Sequence, residues 1–474
     1  MTAIATGISS ASTRTLDRAD QALIEEMLTQ WGDKLSGNRE RQAYYDQKML
    51  LKDLRISTPP KLRNLEAVLG WPAKTVDVLS DRIQFEKWIS PGDDEDPLGL
   101  NAVAIDNDFH TEISQATTSM LTASCAFMTV TQGMDGEPDI LWLSRSAEQA
   151  TGLWNKRSRQ LKAGMTVSTS SSGIPEQFFV YLPDKTVELE LVRGRFRATS
   201  LHNPTGRVLM EPLRHKADLR RPFGHSRITP TVLNLTDRAI RTTVRSEIGA
   251  EFFTAPQRYG LGIDEMDLDK WTAVMGRLLT VGRDEEGELP QLGQFPQISM
   301  TPHQDQMRMW ASMMAGESGV PMDELGFPSD NPASDSAIQS QRDPMRLAAD
   351  KTIRSLQGSL KRLAVTTVML RDGSSTVPDD AKQVIPWFAP TFRLSDSAAG
   401  DVAIKYSQAV PWLAESSVLL EKMNLSQQQI ERALADKRKA QSRQVLESAL
   451  SSPAPVVDDS ADAAPAGVTD DDAG

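Results

Sequence analysis

Residues 319–344 read GVPMDELGFPSDNPASDSAIQSQRDP, a run in which a loop rich in glycine and proline passes directly into a long helical pattern. Behind the loop, apolar residues recur every three or four positions and form one helical stripe of Ile338, Met345, Ile353, Leu356, Leu360 and Leu363. The stripe predicts a helix over residues 334–370, roughly 55 Å long at about 1.5 Å per residue. Asn331 or Ser334 is suited to cap its start, and Pro344 should kink it.

The composition is that of an ordinary globular protein. The chain has 474 residues, 39% of them hydrophobic, and a formal net charge of -12, which predicts two or three packed units and argues against a surface that grips phosphates everywhere. The single cysteine, Cys125, lies in an apolar run and is predicted to be a buried core thiol. The sequence has no leader pattern and no apolar run of about 18 residues, so we expect a soluble protein made and used inside a cell.

The period of the apolar residues changes along the chain. Helices are predicted at residues 16–35, 38–51, 74–85 and 101–120, followed by short strands at 126–133, 139–145, 164–170, 176–183 and 185–199. Beyond residue 228 the helical period returns, and a last strand is predicted within 382–394. The end of the chain, residues 451–474, carries six aspartates and no basic residue, which predicts a disordered acidic tail.

Searches for catalytic and ligand motifs return little. No phosphate loop of the form G-x-x-x-x-G-K-[ST] occurs, and the histidines never reach metal-ligand spacing. GHSRI at residues 224–228 begins like the nucleophile turn of a serine hydrolase but ends in isoleucine, so Ser226 is better explained as a hydroxyl at a helix start. The sequence therefore predicts no catalytic, cofactor-binding or metal residue. An α/β serine hydrolase using Ser226 is kept as an alternative.

A second alternative is a DNA-binding module. Arg193, Arg195 and Arg197 surround Gly194 at a predicted hairpin turn, and clustered arginines bind phosphates. Alternating charges beside a turn are more often its solvated side.

The order of several local patterns resembles the portal proteins of tailed bacteriophages, above all those of long-tailed phages. These patterns are YYDQK at residues 44–48, ISTPPKL at 56–62, GWPAKTVDVLSDRI at 70–83, RRPFGHSRITPTVLNLTDRAIR at 220–241 and SGVPMDELGFPSDNPASDSAIQS at 318–340. Each pattern is loose by itself, and their common order over residues 41–450 carries the resemblance.

The resemblance implies a predominantly helical α+β chain with the portal fold of wing, stem, clip and crown, assembled into a ring around a central channel. The implied segments are 1–223 for the N-terminal helices and wing, 224–250 and 302–318 for two stem helices, 251–301 for the clip, 319–333 for the tunnel loop, 334–371 for the long kinked wing helix, 372–400 for a wing strand, 401–450 for the helical crown and 451–474 for the acidic tail.

The resemblance also implies partners and a place of action. The ring would be dodecameric and would conduct double-stranded DNA without sequence specificity during packaging and ejection, with no enzyme activity of its own. Its partners would be the terminase large subunit, the head-to-tail adaptor, and the major capsid and scaffolding proteins, with no membrane. It would be made in the bacterial host cytoplasm and would lie at the portal vertex of the virion.

Site residues follow from the same resemblance. The tunnel-loop side chains expected to face DNA are Met322, Asp323, Glu324, Leu325, Phe327, Ser329, Asp330 and Asn331. Carboxylates suit such a channel because they repel phosphates and let DNA slide. The stem arginines Arg238, Arg241 and Arg245 are expected to pair across a subunit interface, to which arginine is well suited. The clip acids expected to contact the motor and adaptor are Asp284, Glu285, Glu286 and Glu288.

Overall fold

A computed structural model describes the chain as a mixture of helices and antiparallel sheets, in agreement with the α+β prediction. The described residues are 16–49, 67–91, 96–170, 173–192, 195–254, 258–261, 291–294, 299–328, 335–392 and 396–451. The chain divides into two compact units, Met1–Phe392 and Arg393–Gly474.

The first unit begins with helix α1, Arg18–Tyr45, whose first turn is capped by the Asp17 carboxylate accepting from the Asp20 amide. We predicted two helices here, but α1 is continuous through Gly37. A glycine inside a helix costs only about 1 kcal/mol, and α1 buries Met27, Trp31 and other residues on both sides of the middle of the helix. Tertiary packing therefore overrides the local break.

Three further helices and one strand follow. They are α2 (Trp71–Ser80), strand β1 (Phe85–Ile89), α3 (Leu100–Asp106) and α4 (Phe109–Ala123). The prediction of helix up to residue 85 was wrong, because Phe85 starts a strand. The single helix predicted over 101–120 is split at Asp108, whose backbone is left-handed with φ 46°. The side chain of Asn107 accepts from the Trp142 amide and donates to the Ile140 carbonyl, so the break ties the helices to the sheet.

The strands of the first unit form antiparallel sheets. They are β2 (Cys125–Gln132), β3 (Ile140–Ser146), β4 (Ala150–Asn155), β5 (Gln160–Thr169), β6 (Pro175–Tyr181), β7 (Lys185–Val192), β8 (Arg195–His202) and β9 (Met210–Arg214). One sheet has the strand order β3-β2-β9, and the other runs from β4 to β8 in sequence order. All the predicted strands are confirmed, whereas β4 and β9 were not predicted.

The remaining elements of the first unit include the longest helix. They are α5 (Pro230–Thr254), β10 (Arg258–Leu261), β11 (Gln291–Gln294), α6 (Thr301–Ser318), α7 (Asp335–Arg371) and β12 (Ile385–Phe388), which pairs with β1. Helix α7 has 37 residues and includes Pro344. The helix predicted over 334–370 is thus confirmed to within one residue at each end.

Two large hydrophobic cores lie among the described residues of the first unit, beside a small cluster of Val365, Met369 and Ala381. The larger joins α2, α4, the β3-β2-β9 sheet, α5, α6 and α7, and the smaller packs α1 against the five-stranded sheet. Cys125 is buried in the larger core, as predicted, and burial raises the pKa of its thiol to about 12. The thiol is therefore protonated and unreactive at neutral pH.

The second unit is a small group of helices, α8 (Asp396–Ala409), α9 (Ser417–Lys422) and α10 (Gln427–Ser451). Its described residues bury only three apolar side chains, Ala399, Ala403 and Ile430. Tyr406, Trp412 and other large apolar side chains are exposed. Within its described residues this unit has almost no core of its own.

Candidate functional site

Helices α5 and α6 form an antiparallel pair, which corresponds to the two predicted stem helices. Near the base, the Thr229 hydroxyl lies 3.3 Å from a Glu317 carboxylate oxygen. At the other end, a Cβ added to Gly249 would lie 3.7 Å from Nε2 of His303. The two helices therefore run side by side from base to tip. Strands β10 and β11 pair with each other in the segment that joins the helix tips.

The middle of the pair is held by polar side chains. The Trp310 indole donates to the Thr242 hydroxyl over 3.1 Å, and that hydroxyl lies 3.0 Å from the Gln306 amide oxygen. Thr242 is buried, so its hydrogen bonds are shielded from water. The two helices were predicted, but nothing in the sequence indicated this polar contact.

The three predicted stem arginines lie on one face of α5. Arg238 stacks over the Trp310 ring at 5.5 Å from its centre. Arg241 lies near Tyr44, whose hydroxyl donates to Asp237 over 2.8 Å. Arg245 is exposed. Within the described residues, none of the three forms an ion pair with a carboxylate.

Behind α6, residues 319–328 form a compact turn. Gly319 ends the helix with φ 71°, a left-handed conformation that favours glycine. The Phe327 amide then donates to the Met322 carbonyl over 3.0 Å, and the Gly326 amide donates to the Asp323 carbonyl over 3.1 Å. The first half of the predicted loose loop is thus ordered by its own backbone hydrogen bonds.

The predicted loop residues have different surroundings. Asp323 is exposed, and the Glu324 carboxylate lies 3.8 Å from the Lys74 ammonium of α2. Met322 and Phe327 are partly buried and pack against the larger core. The prediction that Leu325 faces DNA was wrong, because its side chain is only 6% exposed and belongs to that core. The other three predicted loop residues, Ser329, Asp330 and Asn331, lie outside the described residues.

Arg227, just before α5, links the end of α6 to α2, a role that the sequence did not indicate. Its Nε donates to the Thr75 carbonyl and its Nη2 donates to the Ser318 carbonyl, each over 2.8 Å. Ser318 is the last residue of α6. Burial lowers the pKa of Arg227 to about 10, which leaves it charged at neutral pH. A cation at the carbonyl end of α6 is stabilised by the helix dipole.

Helix α7 is fixed to the β3-β2-β9 sheet along one face. The hydroxyls of Ser355 and Ser359 donate to the carbonyls of Arg214 and Pro212 over 3.0 and 2.8 Å. One turn further, the Arg362 guanidinium donates to the buried Glu211 carboxylate over 2.9 Å. Burial raises the pKa of Glu211, and Arg362 partly offsets that effect. These contacts hold α7, the helix that follows the turn, rigidly against the sheet.

The remaining predicted residues separate into two groups. The Ser226 hydroxyl donates to the Thr122 carbonyl and accepts from the Ile228 amide, so it is bound to backbone and is not hydrogen-bonded to His225. Arg197 is exposed on strand β8. The turn residue Arg193 lies outside the described residues, as do all four clip acids, Asp284, Glu285, Glu286 and Glu288.

Among the residues that the structure describes, no group of three or more His, Cys, Asp or Glu side chains is placed to hold a metal ion. No described helix is both long enough and apolar enough to cross a bilayer.

Comparison with known proteins gives related sequences. No protein-family model matches the chain. The chain is 23% identical over 407 residues to the portal protein of Mycobacterium phage D29, covering 80% of this chain and 82% of the relative. It is equally similar over 406 residues to the portal protein of Mycobacterium phage L5. A solved structure described as the neck of a native GTA particle computed with C12 symmetry is 12% identical, covers 77% of this chain and 90% of that chain, and has a TM-score of 0.40. The resemblance to phage portal proteins predicted from the sequence is thereby confirmed over most of the chain.

Proposed function

We propose that this chain is the subunit of a phage portal, a ring at one vertex of the capsid through which DNA is packaged and ejected. The observation that carries the proposal is the similarity to two portal proteins over about four fifths of both chains. The similarity is too extensive to come from one shared motif.

The geometry supports a conduit built from α5, α6 and the turn that follows them. The antiparallel pair is a stiff rod, and Arg227 fixes the end of α6, from which the turn continues, to α2. Asp323 is exposed on that turn. A carboxylate facing a DNA channel repels phosphates, so DNA would slide past it without being held. Helix α7, fixed to the sheet, would give the turn a rigid support.

We further propose that the ring is a dodecamer and that the exposed stem arginines pair with acidic groups of the neighbouring subunit. A closed ring needs a heterologous interface, in which different faces of two subunits meet. Arg238 and Arg245 are exposed and lack a carboxylate partner within the described residues, which leaves them available for such an interface. The motor and adaptor would contact residues 251–301, with Asp284, Glu285, Glu286 and Glu288 as the candidate acids. Capsid and scaffolding proteins would contact the outside of the ring.

The deciding experiment is the mass and shape of the purified full-length protein, by mass photometry and negative-stain imaging. We expect rings with a central hole and a mass near a dozen times 52.2 kDa. A stable monomer or dimer at every protein and salt concentration would overturn the proposal.

The interface is tested separately by charge reversal. Arg245→Glu should reduce the ring fraction while the monomer stays folded by circular dichroism. Arg220→Glu is the matched control, because Arg220 is exposed and lies outside α5. Equal loss of rings in both variants would contradict a specific role for the stem arginines.

A further inference from the structure

A cavity of about 420 Å³ lies between helix α1, the start of β2, the turn joining β3 to β4, and residues 221–226. Helix α1 contributes side chains at the spacing of one helical face, from Gln30 to Arg41. Phe127 and Phe223 form an apolar wall, with ring centres 6.0 Å apart. The cavity is separate from the helix pair and from the turn described above.

The walls of the cavity are fixed by hydrogen bonds. Trp31 donates its indole N–H to the Glu148 carbonyl over 2.7 Å, and the Asn38 amide donates to the Ala147 carbonyl over 3.3 Å. Gln30 donates to the Thr151 hydroxyl over 2.8 Å. These contacts attach one face of α1 to the turn between β3 and β4, so the cavity is formed before any ligand arrives.

The charged groups lining this cavity are all basic. Lys34, Arg41 and Arg221 line it together with the His225 imidazole, and no aspartate or glutamate is among its described lining residues. The Arg41 guanidinium donates to Asn38 over 3.2 Å, and Arg221 donates to Nδ1 of His225 over 3.3 Å. In the described part of the chain, neither arginine forms an ion pair with a carboxylate.

Two carboxylates lie near this charge. The Asp218 carboxylate accepts from Nε2 of His225 and from the amides of Arg220 and Arg221, each over 2.7 Å. Burial lowers the pKa of Arg41, the neighbouring Glu40 partly offsets this effect, and the charge of Arg221 adds to it. The two guanidiniums repel each other across a partly buried space.

We propose that this cavity binds a phosphate group, held by Arg41 and Arg221 with Lys34 at its rim. Arginine presents paired N–H donors that match phosphate oxygens. A doubly charged phosphate also fits two guanidiniums and an ammonium better than a single carboxylate would. The apolar wall would receive the organic part of a phosphate ester. Free phosphate, a mononucleotide and a phosphorylated DNA end share this chemistry.

Calorimetry on the full-length protein tests the proposal. The titrants are inorganic phosphate, dAMP, and a short DNA duplex with or without 5′-phosphates, at an ionic strength fixed with chloride. We expect saturable binding of at least one phosphate ligand at one site per chain, and the order of affinities identifies its source. Arg41→Gln and Arg221→Gln should each weaken that binding at least about tenfold, since charge-assisted hydrogen bonds are lost.

Matched controls separate the site from general surface charge. Arg39→Gln changes the same helix, but Arg39 is paired with Glu148 and does not line the cavity. Arg39→Gln and Arg220→Gln should both keep the wild-type affinity. If a lining arginine variant fails to fold, Lys34→Gln serves in its place, because Lys34 is exposed. No saturable binding at millimolar phosphate, or equal binding in lining and control variants, would overturn the proposal.

Discussion

Among single residues, Arg227 has an unusual environment. It is a buried cation whose described partners are two backbone carbonyls, those of Thr75 and Ser318, together with a 4.0 Å contact to the Met345 sulfur. One side chain thereby joins α2, the end of α6 and the start of the long helix α7. Its removal would leave two carbonyls without these donors and would release the end of α6 from α2.

Arg227→Met should therefore lower the free energy of unfolding by about 3 kcal/mol, since hydrogen bonds from a charged group are worth roughly 1.5–3 kcal/mol each. Arg227→Lys should restore only part of this loss, because an ammonium cannot reproduce the fork of a guanidinium. Urea denaturation measures both. Arg220→Met, at an exposed position, should stay within about 0.5 kcal/mol of wild type. An Arg227→Met protein as stable as that control would show that the contacts contribute nothing.

The buried His215 should make the stability of the fold depend on pH. It is 1% exposed, and burial, followed by the charges of Arg227, Lys216 and His225, lowers its pKa to about 3. Below about pH 6.5 the unfolded chain binds a proton at this residue that the folded chain does not, so stability falls as the pH falls from 6.5 toward 3. The maximal slope is about 1.4 kcal/mol per pH unit.

Denaturation of wild type and His215→Phe at pH 7, 6 and 5 measures this slope. The variant should lose stability less steeply than wild type, whatever its stability at pH 7. His202→Gln, at an exposed position on β8, should keep the wild-type slope. Identical slopes in His215→Phe and wild type would contradict the assignment.

At the scale of elements, the α5–α6 pair depends on the Thr242 hydroxyl. Thr242→Val keeps the side-chain shape but leaves the Trp310 indole N–H without its acceptor. We expect a loss of about 1–2 kcal/mol in unfolding free energy, the cost of one unsatisfied buried donor. Thr231→Val is the matched control, because Thr231 is exposed on the same helix. In thermal denaturation, Thr242→Val should have a lower unfolding midpoint than wild type, and Thr231→Val should not. Equal midpoints for Thr242→Val and wild type would argue against a stabilising role of the polar contact.

The elements that the sequence predicted well have simple periodic patterns. Helix α7 follows from an apolar stripe that continues through Pro344, and the hairpin β7–β8 follows from strict alternation around Val187 and Leu189. Strand β1 was not predicted, because its pairing with β12 shifts in register between Phe85 and Lys87 and this shift breaks the alternation of buried and exposed side chains. Strand β9 was not predicted, because it contains the buried acid Glu211. That carboxylate is paired with Arg362, which lies 151 residues away in sequence.

The candidate site was less predictable for a related reason. Glycine and proline correctly marked a turn after α6, but they carry no information about which turn residues pack inward. Leu325 is buried because α2 and the larger core lie next to it in space. Arg227 reads as one more basic residue in RRPFGHSRI, and only the fold brings Ser318 and Thr75 to its guanidinium.

At the scale of the whole molecule, the two units differ in how much apolar surface they bury. The first unit contains both large cores, and the described residues of the second bury three apolar side chains. A unit with so small a core cannot offset the entropy of ordering its chain. The helices of the second unit therefore need further packing partners for stability.

A chain ending at Phe392 should accordingly unfold cooperatively, with a midpoint within about 3 °C of the corresponding transition of the full-length protein. Residues 393–451 alone should show partial helix and no cooperative transition by circular dichroism. A cooperative transition in the isolated second unit would contradict the argument from burial.

The antiparallel pairing of α5 and α6 also bears on how such chains can diversify. The tips of the two helices lie side by side, with Gly249 next to His303. The two ends of the segment that connects them are therefore held close together. The helix pair already brings these ends together. Lengthening the connecting segment therefore raises the entropic cost of closing it by only about 0.6 kcal/mol per doubling of its length. Insertions, deletions and recombination could therefore remodel residues 255–298 while the cores stay unchanged. The helix pair is therefore a junction at which this segment could be exchanged without changing the rest of the first unit.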